Sequence, residues 1–123
     1  MKKALVIEDN KDNQKLLDYA LKRAGYQVFF SENGEEGLVI ALRERPAFIL
    51  MDINLPGIDG IETTKRIRNS EIDGRIPIIA ITSFAMVGDR ERILEAGCDA
   101  YIEKPIDPIT IIERIHKIIG RLS

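Results

Sequence analysis

The stretch FILMDINLPG, residues 48–57, decides how the chain folds. Its first four residues are apolar without polar alternation, and Asp52 follows them at once. A short apolar run of this kind is typical of a strand that is buried on both faces of a parallel sheet. Short runs rich in Val, Ile and Phe also occur at residues 4–7, 27–30, 77–81 and 100–102. The sequence therefore predicts five strands.

The segments between these runs have the pattern of amphipathic helices. We predict helices at about residues 11–24, 33–45, 60–69, 88–96 and 107–122. Asn33, with Glu36 three residues later, indicates a capped start for the second helix. Asp107 followed by Pro108 predicts the N-cap and the first residue of the last helix. One face of that helix is expected to carry Ile109, Ile112, Ile115 and Ile119.

Strand and helix alternate five times along the chain. Parallel neighbours need crossover connections, so this alternation predicts an α/β fold, with a doubly wound five-stranded parallel sheet and five helices. The length of 123 residues fits one domain. No linker or low-complexity tract divides it. We therefore expect residues 1–123 to form a single domain without an output domain.

Composition excludes several classes of protein. Lys and Arg number 18 against 20 Asp and Glu, and a net charge of −2 gives no general attraction to nucleic acid or anionic membranes. The longest apolar run contains Pro77 and is too short to cross a bilayer. A single cysteine, Cys98, excludes an internal disulfide and a multi-cysteine zinc site. A cytoplasmic location is the default expectation.

Polar side chains follow four of the predicted strands, at the end where parallel sheets bind ligands. Glu8 and Asp9 follow the first, Asp52 the third, Thr82 the fourth and Lys104 the fifth. Three neighbouring carboxylates would repel one another unless a hard cation such as Mg²⁺ lies among them. With a hydroxyl donor and an ammonium group, these are the parts of a phosphoryl-transfer site. The chain has no GxxxxGK[ST] loop, which disfavours nucleotide hydrolysis.

Each of these residues also has a structural explanation. Asp52 alone fits a solvated loop, and Lys104 alone fits a surface position. Glu8 or Asp9 fits the cap of the first helix, a role that Asn10 can share with them. Thr82 fits a strand residue that the backbone satisfies.

Taken together, the motifs resemble the receiver domain of two-component response regulators along essentially the whole chain. The motifs are VIEDN at residues 6–10, LMDINLP at 50–56, ITS at 81–83 and YIEKP at 101–105. Residues 82–89, TSFAMVGD, and 96–101, AGCDAY, are most similar to single-domain chemotaxis or cell-cycle regulators and to receivers of hybrid histidine kinases.

The resemblance implies a flavodoxin-like strand order of 2-1-3-4-5 and a role for each site residue. Asp52 would accept a phosphoryl group from a phosphohistidine, Lys104 would neutralise its oxygens, and Thr82 would donate a hydrogen bond to it. The Lys104–Pro105 bond would be cis. Mg²⁺, or Mn²⁺ as an alternative, would be bound directly by Asp9 and Asp52, by Glu8 through a water molecule, and by the backbone carbonyl of Asn54.

The resemblance also implies how the signal leaves the site. Thr82 would move toward the phosphoryl group and let Tyr101 swing inward, which changes the surface of the fourth helix, fifth strand and fifth helix. The partners would be a histidine kinase or His-phosphotransfer protein and a downstream protein target, with the chain a monomer or a phosphorylation-induced dimer. The expected partner-binding residues are Phe84, Met86, Tyr101 and Ile106. Core packing is the alternative role for Tyr101 and for residues 84–87.

Two further residues bear on the lifetime of the phosphate, and two other functions are alternatives to a phosphorylated receiver domain. Phe84 lies two residues after Thr82, and Asn54 lies two residues after Asp52. Receiver domains that lose phosphate quickly carry polar groups at both positions, so the resemblance, with an apolar Phe84, implies slow self-hydrolysis of the phosphate. A dehalogenase-like hydrolase would need a second aspartate two residues after Asp9, where the chain has Lys11. A degenerate receiver that only binds partners would not need its acceptor, hydroxyl and lysine intact.

Overall fold

The structure is a computed structural model that describes residues 1–55, 57–70, 75–83 and 87–122. Its strands are β1 (Lys3–Ile7), β2 (Gln27–Ser31), β3 (Phe48–Asp52), β4 (Ile78–Thr82) and β5 (Ala100–Glu103). Its helices are α1 (Lys11–Arg23), α2 (Gly34–Glu44), α3 (Gly60–Ser70), α4 (Val87–Ala96) and α5 (Ile111–Arg121). In the described parts of the chain, no helix is both long and apolar enough to cross a membrane.

The five strands form one parallel sheet in the order β2-β1-β3-β4-β5, which confirms the expected fold. The chain steps outward from β1 to β2 and then crosses back to β3 on the other side. A crevice opens at the carboxyl ends of β1 and β3 because their connections leave in opposite directions. The order thus brings the residues that follow these two strands side by side.

Both faces of the sheet are covered, as the apolar runs predict. On β3, Phe48 and Leu50 belong to a core that α1 and α5 complete, whereas Ile49 and Met51 belong to a second core. The second core contains Ile40 of α2, Ile67 of α3 and Ile93 of α4. All five β3 residues are buried, so the strand is rigidly held as far as Asp52.

The predicted start of α5 is wrong by three residues. Asp107 Oδ1 accepts a hydrogen bond from the Ile109 N–H at 2.9 Å and so caps a turn, after which the helix begins at Ile111. Ile109 lies in that turn and is 88% exposed. The shift moves the buried face of α5 to Ile111 and Ile115.

A buried ion pair closes the end of the sheet opposite the crevice. Asp99 Oδ2 accepts from Arg68 Nη2 at 3.0 Å and from the Ile78 N–H at 2.9 Å, and its Oδ1 accepts from Arg75. Arg68 also donates to the Gly97 carbonyl, so α3 is tied to the turn between α4 and β5. The side chains of Arg68 and Asp99 are only 12% and 5% exposed.

We predict that Asp99→Asn destabilises the fold by about 3 kcal/mol, because removing one partner of a buried ion pair leaves the other charge uncompensated. Urea unfolding provides the measurement. The control is Glu113→Gln, whose exposed carboxylate faces Lys117 at 3.4 Å and whose loss should cost less than about 0.5 kcal/mol. Equal destabilisation by the two variants would contradict the assignment.

Candidate functional site

The crevice collects the site residues from four strands. Asp52 and Thr82 are the last residues of β3 and β4, Glu8 follows β1 directly, and Lys104 follows β5. The register pairs Asp52 with Ile81 and Thr82 with Glu103, so these ends are level with one another. The structure therefore brings together the residues that the sequence places at the strand ends.

Three carboxylates lie close together in this crevice. One oxygen each from Glu8, Asp9 and Asp52 lies within 4.8 Å of the others. Glu8 and Asp52 are 2% and 3% exposed, while Asp9 is exposed. Hard divalent cations take oxygen ligands, and two buried carboxylates with one open to water suit an ion that keeps part of its hydration shell. The donor set therefore fits Mg²⁺.

Lys104 supplies positive charge to the same crevice. Its Nζ lies 3.4 Å from Asp52 Oδ1 and 3.8 Å from Glu8 Oε1. Its backbone N–H donates to the Thr82 carbonyl at 2.8 Å, and the Lys104–Pro105 bond is cis, as the resemblance implies. One ammonium group among three carboxylates leaves an excess of negative charge.

Burial and charge both act on Glu8. Removal from water, a hydrogen bond with Asp52 and repulsion by Asp52 raise the pKa of Glu8 from 4.5 to about 7, against the opposing effects of the Asn10 N–H and Lys104. Metal-free protein thus holds a proton at Glu8 more tightly than the unfolded chain does. A nearby cation would therefore stabilise the ionised form of Glu8.

The loop after β3 holds the Asp52 carboxylate from a second side. Asp52 Oδ1 accepts a hydrogen bond from the Asn54 N–H at 3.1 Å. A Cβ on Gly60 would lie 2.5 Å from the Asp52 carbonyl oxygen, so only glycine lets α3 begin this close to the strand end. The role of the Asn54 carbonyl as a metal ligand stays a prediction.

Thr82 lines a cavity next to the acidic cluster. The side chain is 1% exposed and lies at one wall of a space of about 370 Å³. The other described walls include Ile53, Asn54 and Leu55 before α3, and Arg92 and Ile93 of α4.

Tyr101 is half-buried on the edge strand β5 and packs against the α2–α4 core. The Arg90 guanidinium of α4 lies over its ring, 5.5 Å from the centroid. A cation at this distance attracts the face of an aromatic ring. Tyr101 therefore links β5 to α4, which includes the packing role that the sequence left open.

The other predicted partner-binding residues are Phe84, Met86 and Ile106. Phe84 and Met86 lie outside the described residues. Ile106 is 7% exposed and packs in the α1–α5 core, so its side chain offers a partner little surface. We leave Ile106 out of the proposed contact surface for this reason.

Sequence reasoning missed two contacts of the site. Asn13 Nδ2 donates to Glu8 Oε1 at 3.0 Å, and Arg90 stacks on Tyr101. Asn10 rather than a carboxylate caps α1, because its Oδ1 accepts from the Asn13 N–H at 2.9 Å. The spacing of Glu8, Asn10 and Asn13 was the available signal, since a first helical turn brings such residues together.

Comparison with known proteins identifies the family. The model of the response regulator receiver domain matches residues 4–116, and the chain belongs to this family of two-component signalling proteins. The polar-differentiation response regulator DivK of Brucella anthropi is 44% identical over 119 residues, which cover 97% of each chain.

Solved structures of receiver domains share the fold. The receiver domain of sensor histidine kinase PA1611 from Pseudomonas aeruginosa, with a magnesium ion in its active-site cleft, has a TM-score of 0.87 and 38% identity over 97% of this chain and 98% of that one. A response regulator from Chloroflexus aurantiacus has a TM-score of 0.88 and 30% identity, covering 98% of both chains.

The raised pKa of Glu8 predicts how the stability of metal-free protein depends on pH. Stability from this group is fully present below pH 4.5 and is lost as pH rises to about 7, because the folded state binds the proton more tightly. Between pH 4.5 and 8 in EDTA, we expect Glu8→Gln to gain roughly 1–3 kcal/mol relative to the unsubstituted chain. Urea unfolding measures the free energy of unfolding of Glu8→Gln and of the unsubstituted chain at each pH.

The matched control is Glu36→Gln, which changes an exposed carboxyl group of α2. Its stability relative to the unsubstituted chain should not vary over this pH range. A constant difference between Glu8→Gln and the unsubstituted chain would refute the burial of an uncompensated charge at Glu8.

Proposed function

We propose that this receiver domain is a phosphorylation-dependent switch that takes a phosphoryl group from the phosphohistidine of a histidine kinase or phosphotransfer protein onto Asp52. The observation that carries the proposal is the Lys104 ammonium 3.4 Å from a buried Asp52 carboxylate, within a cluster of three carboxylates. A buried ion pair alone would not need Glu8 and Asp9 beside it. A phosphoryl acceptor that works with a divalent cation does.

Phosphoryl transfer to Asp52 needs no reactant besides the phosphohistidine. A carboxylate oxygen of Asp52 forms a bond to phosphorus while the bond from phosphorus to the histidine nitrogen breaks. The phosphohistidine ring reacts with a proton on its other nitrogen, so the imidazole leaves as a neutral group that keeps this proton. Lys104 faces the charge that develops on the phosphoryl oxygens. The Asn54 N–H holds Asp52 in place during the attack.

Glu8, Asp9 and Asp52 would hold Mg²⁺ or Mn²⁺, and we propose that the Asn54 carbonyl adds a ligand. When bound, the cation supplies positive charge that screens the carboxylates from the incoming phosphate. The relative from Pseudomonas aeruginosa with magnesium in its cleft supports this assignment. The nature of the donors, all hard oxygens, supports it independently.

The phosphate would then act on the rest of the domain through Thr82. The phosphoryl group adds charge and acceptor oxygens near a buried hydroxyl, which favours the conformation in which Thr82 donates to it. The Lys104 backbone N–H donates a hydrogen bond to the Thr82 carbonyl oxygen at 2.8 Å. We therefore expect the ends of β4 and β5 to move together. Tyr101 lies on β5 and changes rotamer in this proposal.

The readout surface consists of α4, β5 and α5. Leu94 of α4 is 50% exposed, and a surface depression beside it is lined by Tyr101 and Ile118. We propose that a downstream protein binds here in the cytoplasm, with Phe84 and Met86 contributing contacts, or that a second phosphorylated copy does. The apolar Phe84 also leaves self-hydrolysis slow.

The competing functions predict different acceptors. A dehalogenase-like hydrolase would use an aspartate after β1, but Asp9 is exposed and lacks the second aspartate that such enzymes carry two residues later. A receiver that only binds partners would take no phosphate at all. Acetyl phosphate, a small phosphodonor, distinguishes these cases.

We predict that acetyl phosphate with Mg²⁺ adds one phosphoryl group to the chain, stable to acid and labile to base, as seen by intact mass. Borohydride trapping followed by peptide mass spectrometry should locate the group on Asp52. Asp52→Ala should abolish the adduct, whereas Asp12→Ala, at an exposed aspartate of α1, should retain it. An adduct on Asp9, or none, would overturn the proposal.

A further inference from the structure

The carboxylate of Glu8 is held by two neutral donors from the start of α1. Asn13 Nδ2 donates to Glu8 Oε1 at 3.0 Å, and the Asn10 N–H donates to Glu8 Oε2 at 3.2 Å. Lys104 Nζ lies 3.8 Å from Oε1, which is beyond hydrogen-bond distance. The two donors act on different oxygens, so together they set the plane of the carboxylate.

Only one of these donors depends on the identity of a side chain. Any residue except proline at position 10 would offer the same N–H, whereas the amide donor comes from Asn13 itself. Asn13 is in turn fixed by its own backbone, since its N–H donates to Asn10 Oδ1 at 2.9 Å. The cap of α1 thus orients the residue that orients Glu8.

A glutamate at position 8 needs such a hold more than an aspartate would. Glutamate has one more rotatable bond, so its carboxylate loses more conformational entropy when it is fixed. The site demands that this carboxylate stay near Asp9 and Asp52, which repel it. Without a lateral donor, rotation about the additional bond would let Glu8 turn away from them.

The chemistry of asparagine suits a cation site in a way that charged residues do not. Aspartate at position 13 would add a fourth negative charge to the cluster. Lysine or arginine would bind Glu8 more strongly but would also repel a divalent cation. A neutral amide donates without changing the net charge, so it can orient the ligand and leave its attraction for the cation intact.

We propose that Asn13 is a positioning residue, which holds the Glu8 carboxylate in the orientation that binds the divalent cation. The inference rests on the magnesium site of the proposed function and adds to it a residue that touches neither cation nor phosphate. It predicts that Asn13 affects cation affinity only through Glu8. This dependence separates a positioning role from a general contribution to folding.

The test is a double-mutant cycle on Mg²⁺ affinity, measured by NMR titration of backbone amides without any phosphodonor. Outer contacts to metal ligands commonly change affinity 10–100-fold, so Asn13→Ala should weaken Mg²⁺ binding about tenfold when residue 8 is glutamate. In the Glu8→Asp background we expect the shorter side chain to hold its carboxylate out of reach of Asn13. There the same change should alter affinity less than about twofold.

Asn69→Ala is the matched control, because Asn69 is an exposed asparagine near the end of α3, far from the crevice. It should leave Mg²⁺ affinity unchanged. The dispersion of the amide spectra shows that each variant is folded before Mg²⁺ is added. If Asn13→Ala loses its dispersed spectrum while Asn69→Ala keeps it, Asn13 is needed for the folding of α1 and the positioning role is overturned.

The effect of Asn13→Ala on Mg²⁺ affinity in the two backgrounds distinguishes the positioning role from its alternatives. An equal loss of affinity in the Glu8 and Glu8→Asp backgrounds would make Asn13 merely structural, and no loss in either would remove it from the site. Both results overturn the inference while leaving the magnesium site standing. A chain that binds no Mg²⁺ even when unsubstituted would overturn the magnesium site itself, and the inference with it.

Discussion

The structure depends on the electrostatic constraint at the carboxyl ends of β1 and β3. Three carboxylate oxygens are held within 4.8 Å, two of them on residues that water barely reaches, and one ammonium group lies among them. Burial, and after it the nearby charge of Asp52, raises the pKa of Glu8 to about 7, so ionised Glu8 raises the free energy of the metal-free fold. The packing of β3 and the anchoring of α1 and α3 keep the carboxylates in place despite this repulsion.

The same constraint makes the site sensitive to added charge. Any added cation or phosphoryl group changes a balance of charge that is already unfavourable, so a small chemical event has a large electrostatic effect. The Lys104 N–H donates to the Thr82 carbonyl and so joins the ends of β5 and β4. Tyr101 and Arg90 then connect β5 with α4. The buried pair of Arg68 and Asp99 anchors the other end of this unit.

Much of this arrangement follows from the sequence, because its determinants are local. Unbroken apolar runs predict buried strands, and the rule that ligands bind at the carboxyl ends of parallel strands places Asp52 near Glu8, Asp9 and Lys104. The strand order does not follow from spacing alone and came from the resemblance to receiver domains. Asn33 caps α2 as predicted, since a cap involves residues only three apart.

The features that were missed depend on contacts between distant segments or on competing local geometry. Arg68 and Asp99 are 31 residues apart, and no periodic pattern predicts that they meet. Asp107 and Pro108 form a good helix start in isolation, but the Asp107 side chain closes a turn on Ile109 and delays α5. The bond from Asn13 to Glu8 needs the exact path of the chain between β1 and α1.

A phosphoryl group on Asp52 is proposed to change the conformation of β5 and α4. Beryllofluoride binds aspartate carboxylates as a stable mimic of the phosphoryl group, and NMR of backbone amides can follow its effect in the presence of Mg²⁺. In the unsubstituted chain we expect beryllofluoride to shift the amide signals of Thr82, of Tyr101 and along α4, and we expect no shifts in Asp52→Asn. Shifts confined to residues 52–54, or shifts that persist in Asp52→Asn, would contradict it.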